Sequence, residues 1–70
     1  MMPLTLAPIE SKNTIRKIGG NGEIRHHLQN LGFVPGAEII VLHKVRDNLV
    51  VSIKETRIAL NAELAKKIMI

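Results

Sequence analysis

Histidine is the residue type in this sequence best suited to bind a transition metal, since the chain has three histidines and no cysteine. His26 and His27 are adjacent, whereas His43 lies in a different segment. Adjacent residues on a helix diverge by about 100°, while two ligands on one helix need a spacing of three or four residues. A site for ferrous iron or zinc would therefore need His43 or a carboxylate nearby, and the competing interpretation is three solvent-facing side chains. We predict no occupied metal site.

The sequence offers no set of residues that resembles a catalytic constellation. A covalent mechanism needs a nucleophile beside a base, but the serines and threonines fall in no nucleophile motif and the acidic residues are scattered. The glycine-rich residues 19–22 lack the lysine and the hydroxyl residue of a phosphate-binding loop. We therefore predict that the protein is not an enzyme and uses no cofactor.

The basic charge of the chain would suit an acidic partner, although basic residues scattered in runs no longer than two are more typical of a solvated surface. Ten Lys and Arg against six Asp and Glu give a formal net charge of +4, which suits nucleic acid, anionic lipid or an acidic protein. Phe33 is the only aromatic residue, so no Tyr or Trp can stack on bases, and we expect no nucleic acid. The absence of cysteine favours a reducing compartment, and no stretch approaches the ~20 apolar residues of a transmembrane helix. The chain also begins without a recognisable signal peptide, so we predict a cytoplasmic protein.

An amphipathic helix is predicted from Glu23 to Leu31. Ile24, Leu28 and Leu31 recur at the spacing of one helix face, and Asn21 is placed to cap the first turn. The helix is expected to pack across one opening of the domain through these three apolar side chains. Its opposite side carries Arg25 and His26.

A sharp corner is predicted directly after this helix. Gly32 follows the last periodic residue and can take the left-handed conformation that ends a helix. Pro35 and Gly36 then suit the second and third positions of a type II turn. Phe33 and Val34 lie between the helix end and the turn, where their side chains can fill the junction of helix and sheet.

The remaining sequence predicts short strands on tight turns. Strands are expected at residues 14–18, 37–44, 49–54, 57–60 and 68–70, after an extended segment at 3–9 and a turn at 10–13, with a short helix at 62–67 capped by Asn61. This pattern predicts a mainly β, small α+β fold in which residues 1–70 form a single domain.

The strand at 37–44 has apolar residues on both faces, which predicts either a bend or a surface that another molecule covers. We therefore take Ile40 and Leu42, together with Arg25 and His26, as the candidate partner-binding residues.

The segment from Leu28 to Gly36, with Leu31, Gly32, Phe33 and Pro35 at fixed positions, resembles the FeoA family, the small cytoplasmic proteins of bacterial ferrous iron transport. The likeness continues through Leu49–Ile53, Arg57–Leu60 and a short helix holding Leu64 and Ala65, and it covers the chain from Leu4 to Ile70. It implies an SH3-like β-barrel of about five strands with an inserted helix.

The resemblance also implies a non-enzymatic role in support of FeoB, a membrane permease with a cytoplasmic nucleotide-hydrolysing domain. On this interpretation the protein reaches the membrane only through that partner, and weak self-association stays open. Related domains occur in iron-dependent repressors, so the alternative is a nucleic-acid-binding or repressor-type SH3-like domain. No motif of metal ligands carries over from the family to this chain.

Overall fold

The computed structural model describes residues 1–70. In chain order it contains a 3₁₀ turn (Leu4–Leu6), β1 (Lys12–Thr14), β2 (Lys17–Ile18), α1 (Gly22–Asn30), β3 (Glu38–Val45), β4 (Asn48–Ile53), β5 (Thr56–Asn61), α2 (Ala62–Ala65) and β6 (Ile68–Met69). Four antiparallel strands form one sheet in the order β1-β3-β4-β5, and β2 pairs with β6 in a second sheet. The predicted mainly β fold with one inserted helix and a short second helix is confirmed.

One apolar core lies between these elements, and it contains every buried residue of the chain. It draws on both sheets, both helices and the 3₁₀ turn: Leu4, Ala7, Ile15, Ile18, Leu28, Phe33, Ile39, Val41, Leu49, Val51, Ile53, Leu60, Ala65, Ile68 and Ile70. No polar or charged residue is buried, so the side-chain packing of the interior is entirely apolar.

Helix α1 is capped and oriented largely as predicted. The Asn21 Oδ1 accepts a hydrogen bond from the Ile24 N–H at 2.9 Å, and the helix buries Leu28 completely while Ile24 packs against the core. The prediction that Leu31 packs beside them is wrong, because Leu31 lies past the helix end and is 37% exposed. Phe33 fills the core instead, and its N–H donates to the Leu28 carbonyl at 2.9 Å.

The corner after α1 is confirmed in both of its parts. Gly32 has a φ of 104° and Gly36 a φ of 92°, both in the left-handed region. The Ala37 N–H donates to the Val34 carbonyl at 3.1 Å, which closes a four-residue turn with Pro35 second and Gly36 third. This is the hydrogen bond and residue order of a type II turn.

The first predicted strand is divided in two. The sequence predicts a turn at residues 10–13 and one strand at 14–18, but β1 begins at Lys12, and the chain passes from the four-stranded sheet to the second sheet between β1 and β2. Ile15 and Ile18 are both buried, although residues three apart on a regular strand point to opposite faces. The interruption of the strand at residues 15–16 allows both isoleucines to enter the core.

The sequence predicts an extended segment at residues 3–9, but this segment contains a 3₁₀ turn at Leu4–Leu6. Leu4 and Ala7 are both completely buried, and the Ala7 N–H donates to the Leu4 carbonyl at 3.0 Å. One 3₁₀ turn places residues three apart on the same side. The segment therefore contributes two side chains to the core.

The register between β3 and β4 shifts between Val41 and His43, as at a β-bulge, which agrees with one of the two interpretations of the doubly apolar pattern of β3. Val41 lies opposite Val51 and His43 lies opposite Val50, so that Leu42 has no partner of its own on β4. An extra residue of this kind bends the strand and increases its twist.

Candidate interaction surface

The outer face of the four-stranded sheet, which is turned away from the core, carries two of the predicted partner-binding residues. Ile40 and Leu42 alternate along β3 with the fully buried Ile39 and Val41. Because successive side chains of a strand point to opposite faces, Ile40 and Leu42 point outward. Both are half-buried, since neighbouring side chains on the same face cover part of them.

Two rows of opposed residues cross this outer face. The first row runs from β1 to β5 through Lys12, Ile40, Ser52 and Arg57. The second row contains His43, Val50 and Ala59. Leu42 and His43 together oppose Val50 at the bulge. Ile40, Leu42 and Val50 thus form a half-buried apolar patch, which we call the outer strip.

Cationic side chains flank the outer strip on both sides. Lys12 and Arg57 occupy the two ends of the first row, and both are exposed. Lys12 Nζ lies 3.6 Å from the Glu38 carboxylate, an exposed ion pair of little energetic weight. A shallow depression beside Ile40 is lined by Lys12, Glu38, Ser52 and Lys54. The chemistry of this surface is an apolar centre with a polar and partly basic rim.

Arg25 and His26 lie on a different element from the outer strip. Both are exposed on α1, whose opposite side inserts Leu28 into the core. No side-chain hydrogen bond or ion pair links α1 to the four-stranded sheet. The structure therefore brings Ile40 and Leu42 together, while Arg25 and His26 form a separate exposed pair.

Sequence reasoning missed three contributors to the outer face: Val50, Lys12 and Arg57. The alternation of residues 49–53 does place Val50 on the face opposite the buried Leu49 and Val51. Nothing in the sequence reveals that Val50 lies opposite the bulge, or that β1 and β5 bring Lys12 and Arg57 into line with Ile40. Those neighbours depend on strand register.

The three histidines are exposed and lie on two different elements. His26 and His27 lie on α1, and His43 lies on β3. No group of three or more His, Asp or Glu side chains is arranged to hold a metal ion. Neither helix has the length and apolarity needed to cross a membrane.

Comparison with known proteins places this fold in a family. The model of the FeoA domain matches residues 2–70. A crystal structure of an iron uptake regulatory protein (FeoA) is similar with a TM-score of 0.89 and 29% identity, over 96% of this chain and 91% of that one. The FeoA of Stenotrophomonas maltophilia in complex with zinc, described as a prokaryotic SH3 domain protein, has a TM-score of 0.85 and 28% identity, over 99% of this chain and 88% of that one.

A manganese-dependent transcriptional repressor is similar in fold alone. Its TM-score is 0.86 at 16% identity, and the match covers 94% of this chain and 38% of the repressor. The comparison with curated proteins found no match. The family model spans nearly the whole chain, and the two FeoA structures share its SH3-like architecture. This chain therefore belongs to the FeoA domain family.

Proposed function

We propose that this protein is a non-enzymatic accessory module of ferrous iron transport, which acts in the cytoplasm by binding the cytoplasmic part of a FeoB-type permease. Membership of the FeoA family supports the transport role, and the Stenotrophomonas relative has been put forward as a bacterial ferrous iron transport activating factor. Residues 1–70 act as one unit in this proposal. The observation that carries it is the outer strip.

The outer strip supplies the kind of surface that a docking module needs. Ile40, Leu42 and Val50 point away from the core and are only partly covered by the rest of the chain. Burying such side chains against a partner releases the water that now covers their exposed parts. Exposed cations at the rim, such as Lys12 and Arg57, favour a partner with acidic residues around an apolar centre.

A module of this kind can influence the permease only by differential binding. A ligand shifts a conformational equilibrium by no more than the difference between its affinities for the two states. The protein therefore must bind one state of the permease more tightly than another. Apolar residues at the centre of the interface control the lifetime of the complex, while basic residues at its rim, or on α1 at Arg25 and His26, control the rate of encounter.

The test is a binding-kinetics measurement against the purified cytoplasmic domain of the co-encoded permease. Leu42→Asp should speed dissociation by at least about tenfold, since central interface residues cost more than ~1.4 kcal/mol when disrupted. Leu31→Asp is the matched control, because it makes the same chemical change at an exposed leucine outside the outer strip.

The α1 contribution is tested separately by Arg25→Glu, which should slow association most strongly at low salt. Melting temperatures establish that each variant is folded. If Leu42→Asp and Ile40→Asp are folded and dissociate at the parent rate, the outer strip is not the interface.

A further inference from the structure

Two basic dipeptides adjoin the two short strands of the second sheet: Arg16-Lys17 overlaps the start of β2, and Lys66-Lys67 directly precedes β6. Arg16-Lys17 lies between the buried residues Ile15 and Ile18, and Lys66-Lys67 lies between the buried Ala65 and Ile68. Each dipeptide is flanked on both sides by side chains that enter the core, and none of its own side chains is buried. The four cationic side chains are therefore at least partly open to solvent.

The pairing of β2 with β6 places the two dipeptides diagonally across the two strands, offset by two positions. Lys17 lies opposite Met69, and the Arg16 N–H donates to the Met69 carbonyl at 2.8 Å. At the other end of the pair, the Gly19 N–H donates to the Lys67 carbonyl at 2.7 Å. Paired strands lie about 5 Å apart. Lys17 and Lys67 are therefore diagonal neighbours across the two strands, and Arg16 and Lys66 adjoin them in the chain. We call the region of these four residues the basic face.

The basic face has little internal neutralisation. Lys66 Nζ lies 3.1 Å from the Glu63 carboxylate, one turn earlier on α2. Arg16, Lys17 and Lys67 take part in no ion pair, because the only other ion pair of the structure joins Lys12 to Glu38. Concentrated and unpaired positive charge attracts a surface that carries many negative charges.

Exposed apolar side chains lie beside the basic face. Met1 is 80% exposed and Met2 is 38% exposed, and both line a shallow depression together with Arg16 and Ile70. Reciprocal backbone hydrogen bonds between Met2 and Ile70, at 3.0 and 2.9 Å, hold this segment in place. Met2 is therefore fixed next to Arg16, and Met1 precedes it at the same depression.

We propose that the basic face and the adjoining methionines bind the surface of an anionic lipid bilayer. Clustered Lys and Arg are attracted to anionic headgroups, while neighbouring apolar side chains can enter the boundary between headgroups and acyl chains. Nucleic acid would use the cations but would gain little from exposed methionines, and the surface has no aromatic side chain for base stacking. The chain thus makes a membrane contact of its own, in addition to any contact through a protein partner.

The test is co-sedimentation of the protein with lipid vesicles. Vesicles of phosphatidylcholine with a minor share of phosphatidylglycerol should bind the protein at low salt, and pure phosphatidylcholine vesicles should not. Each cation near an anionic surface is worth roughly fivefold in binding. The double variant Lys17→Gln and Lys67→Gln should therefore bind on the order of twenty-fold more weakly. Met2→Gln should weaken binding severalfold without any change of charge.

The matched control is Lys12→Gln with Arg57→Gln, which removes the same charge from the four-stranded sheet. It should retain most of the vesicle binding. Equal losses in the two double variants would reduce the effect to net charge and overturn the proposal, as would failure of the parent protein to bind phosphatidylglycerol vesicles at low salt.

A parallel titration with duplex DNA tests whether the basic face binds nucleic acid instead of lipid. Tighter binding to duplex than to vesicles, lost in the Lys17→Gln and Lys67→Gln variant, would assign the basic face to nucleic acid. Because the vesicle assay contains no permease, its outcome is independent of the docking function proposed above.

Discussion

Gly36 must be glycine because of its backbone conformation, and not because a side chain would lack space. Its φ is 92°, yet a Cβ added at this position would meet no atom within 4 Å. Left-handed φ values are costly for β-branched residues and more readily adopted by asparagine. The corner between α1 and β3 therefore depends on a conformational preference that the sequence itself reveals.

Replacing Gly36 by valine is expected to lower the free energy of unfolding by more than about 1 kcal/mol. The measurement is urea denaturation followed by circular dichroism. Gly36→Asn is the control, since asparagine is the side chain that best tolerates the same φ, and it should recover part of the loss. Equal stability of the valine variant and the parent would show that the corner can change its conformation freely.

The exposed histidines lead to a prediction about metal. Because no three potential ligands are grouped, chelator-washed protein should melt at the same temperature with and without micromolar zinc or ferrous iron. A tightly bound metal would stabilise the native state and raise the melting temperature. Zinc is one of the metals to test because the Stenotrophomonas relative was crystallised in complex with zinc. A rise of several degrees that disappears in the double variant His26→Ala and His43→Ala would contradict the prediction.

At the scale of elements, the sequence predicts those features whose signals are local. The cap at Asn21, the end of α1 at Gly32 and the turn at Gly36 each depend on residues within a few positions. The division between β1 and β2 depends on Ile15 and Ile18 reaching a core formed by distant strands. No local sequence pattern indicates this division. The same is true of Leu31, whose helical spacing suggested burial although Phe33 occupies the core.

The turn between β4 and β5 has unfavourable residues for its conformation. Lys54 and Glu55 have φ values of 50° and 65°, and a two-residue hairpin with both central φ values positive is a type I′ turn, which strongly prefers Asn-Gly. Lys54→Asn with Glu55→Gly should therefore stabilise the protein by about 1 kcal/mol. The measurement is the midpoint of urea unfolding.

The control for this prediction is Asp47→Gly in the turn between β3 and β4. There only Arg46 has a positive φ, of 56°, so a glycine at Asp47 adds flexibility to the unfolded chain without relieving strain. It should leave stability unchanged or slightly lower. If both turns respond alike, the gain does not come from the left-handed conformation.

At the scale of the whole molecule, the sequence reveals single residues of a surface but not the surface itself. Ile40 and Leu42 were recognised because their strand is apolar on both faces. Their neighbours Lys12 and Arg57 come from strands that only the register of the sheet aligns. The basic face combines dipeptides some fifty positions apart in the chain, so its composition is visible in the sequence while its assembly is not. Surfaces of this kind require the tertiary structure.

The small core makes the segment before β1 as important as any strand. A chain of this length buries only about 60% of the surface exposed by its unfolded form, so each buried side chain carries a large share of the stability.

Leu4 is completely buried, and Leu→Ala changes in cores typically cost about 2–5 kcal/mol. Leu4→Ala should therefore lower the unfolding free energy by at least about 2 kcal/mol. Leu6→Ala, at a neighbouring leucine that is 65% exposed, should change it by less than about 0.5 kcal/mol. Equal effects of the two substitutions in urea denaturation would show that this segment is not part of the folded core.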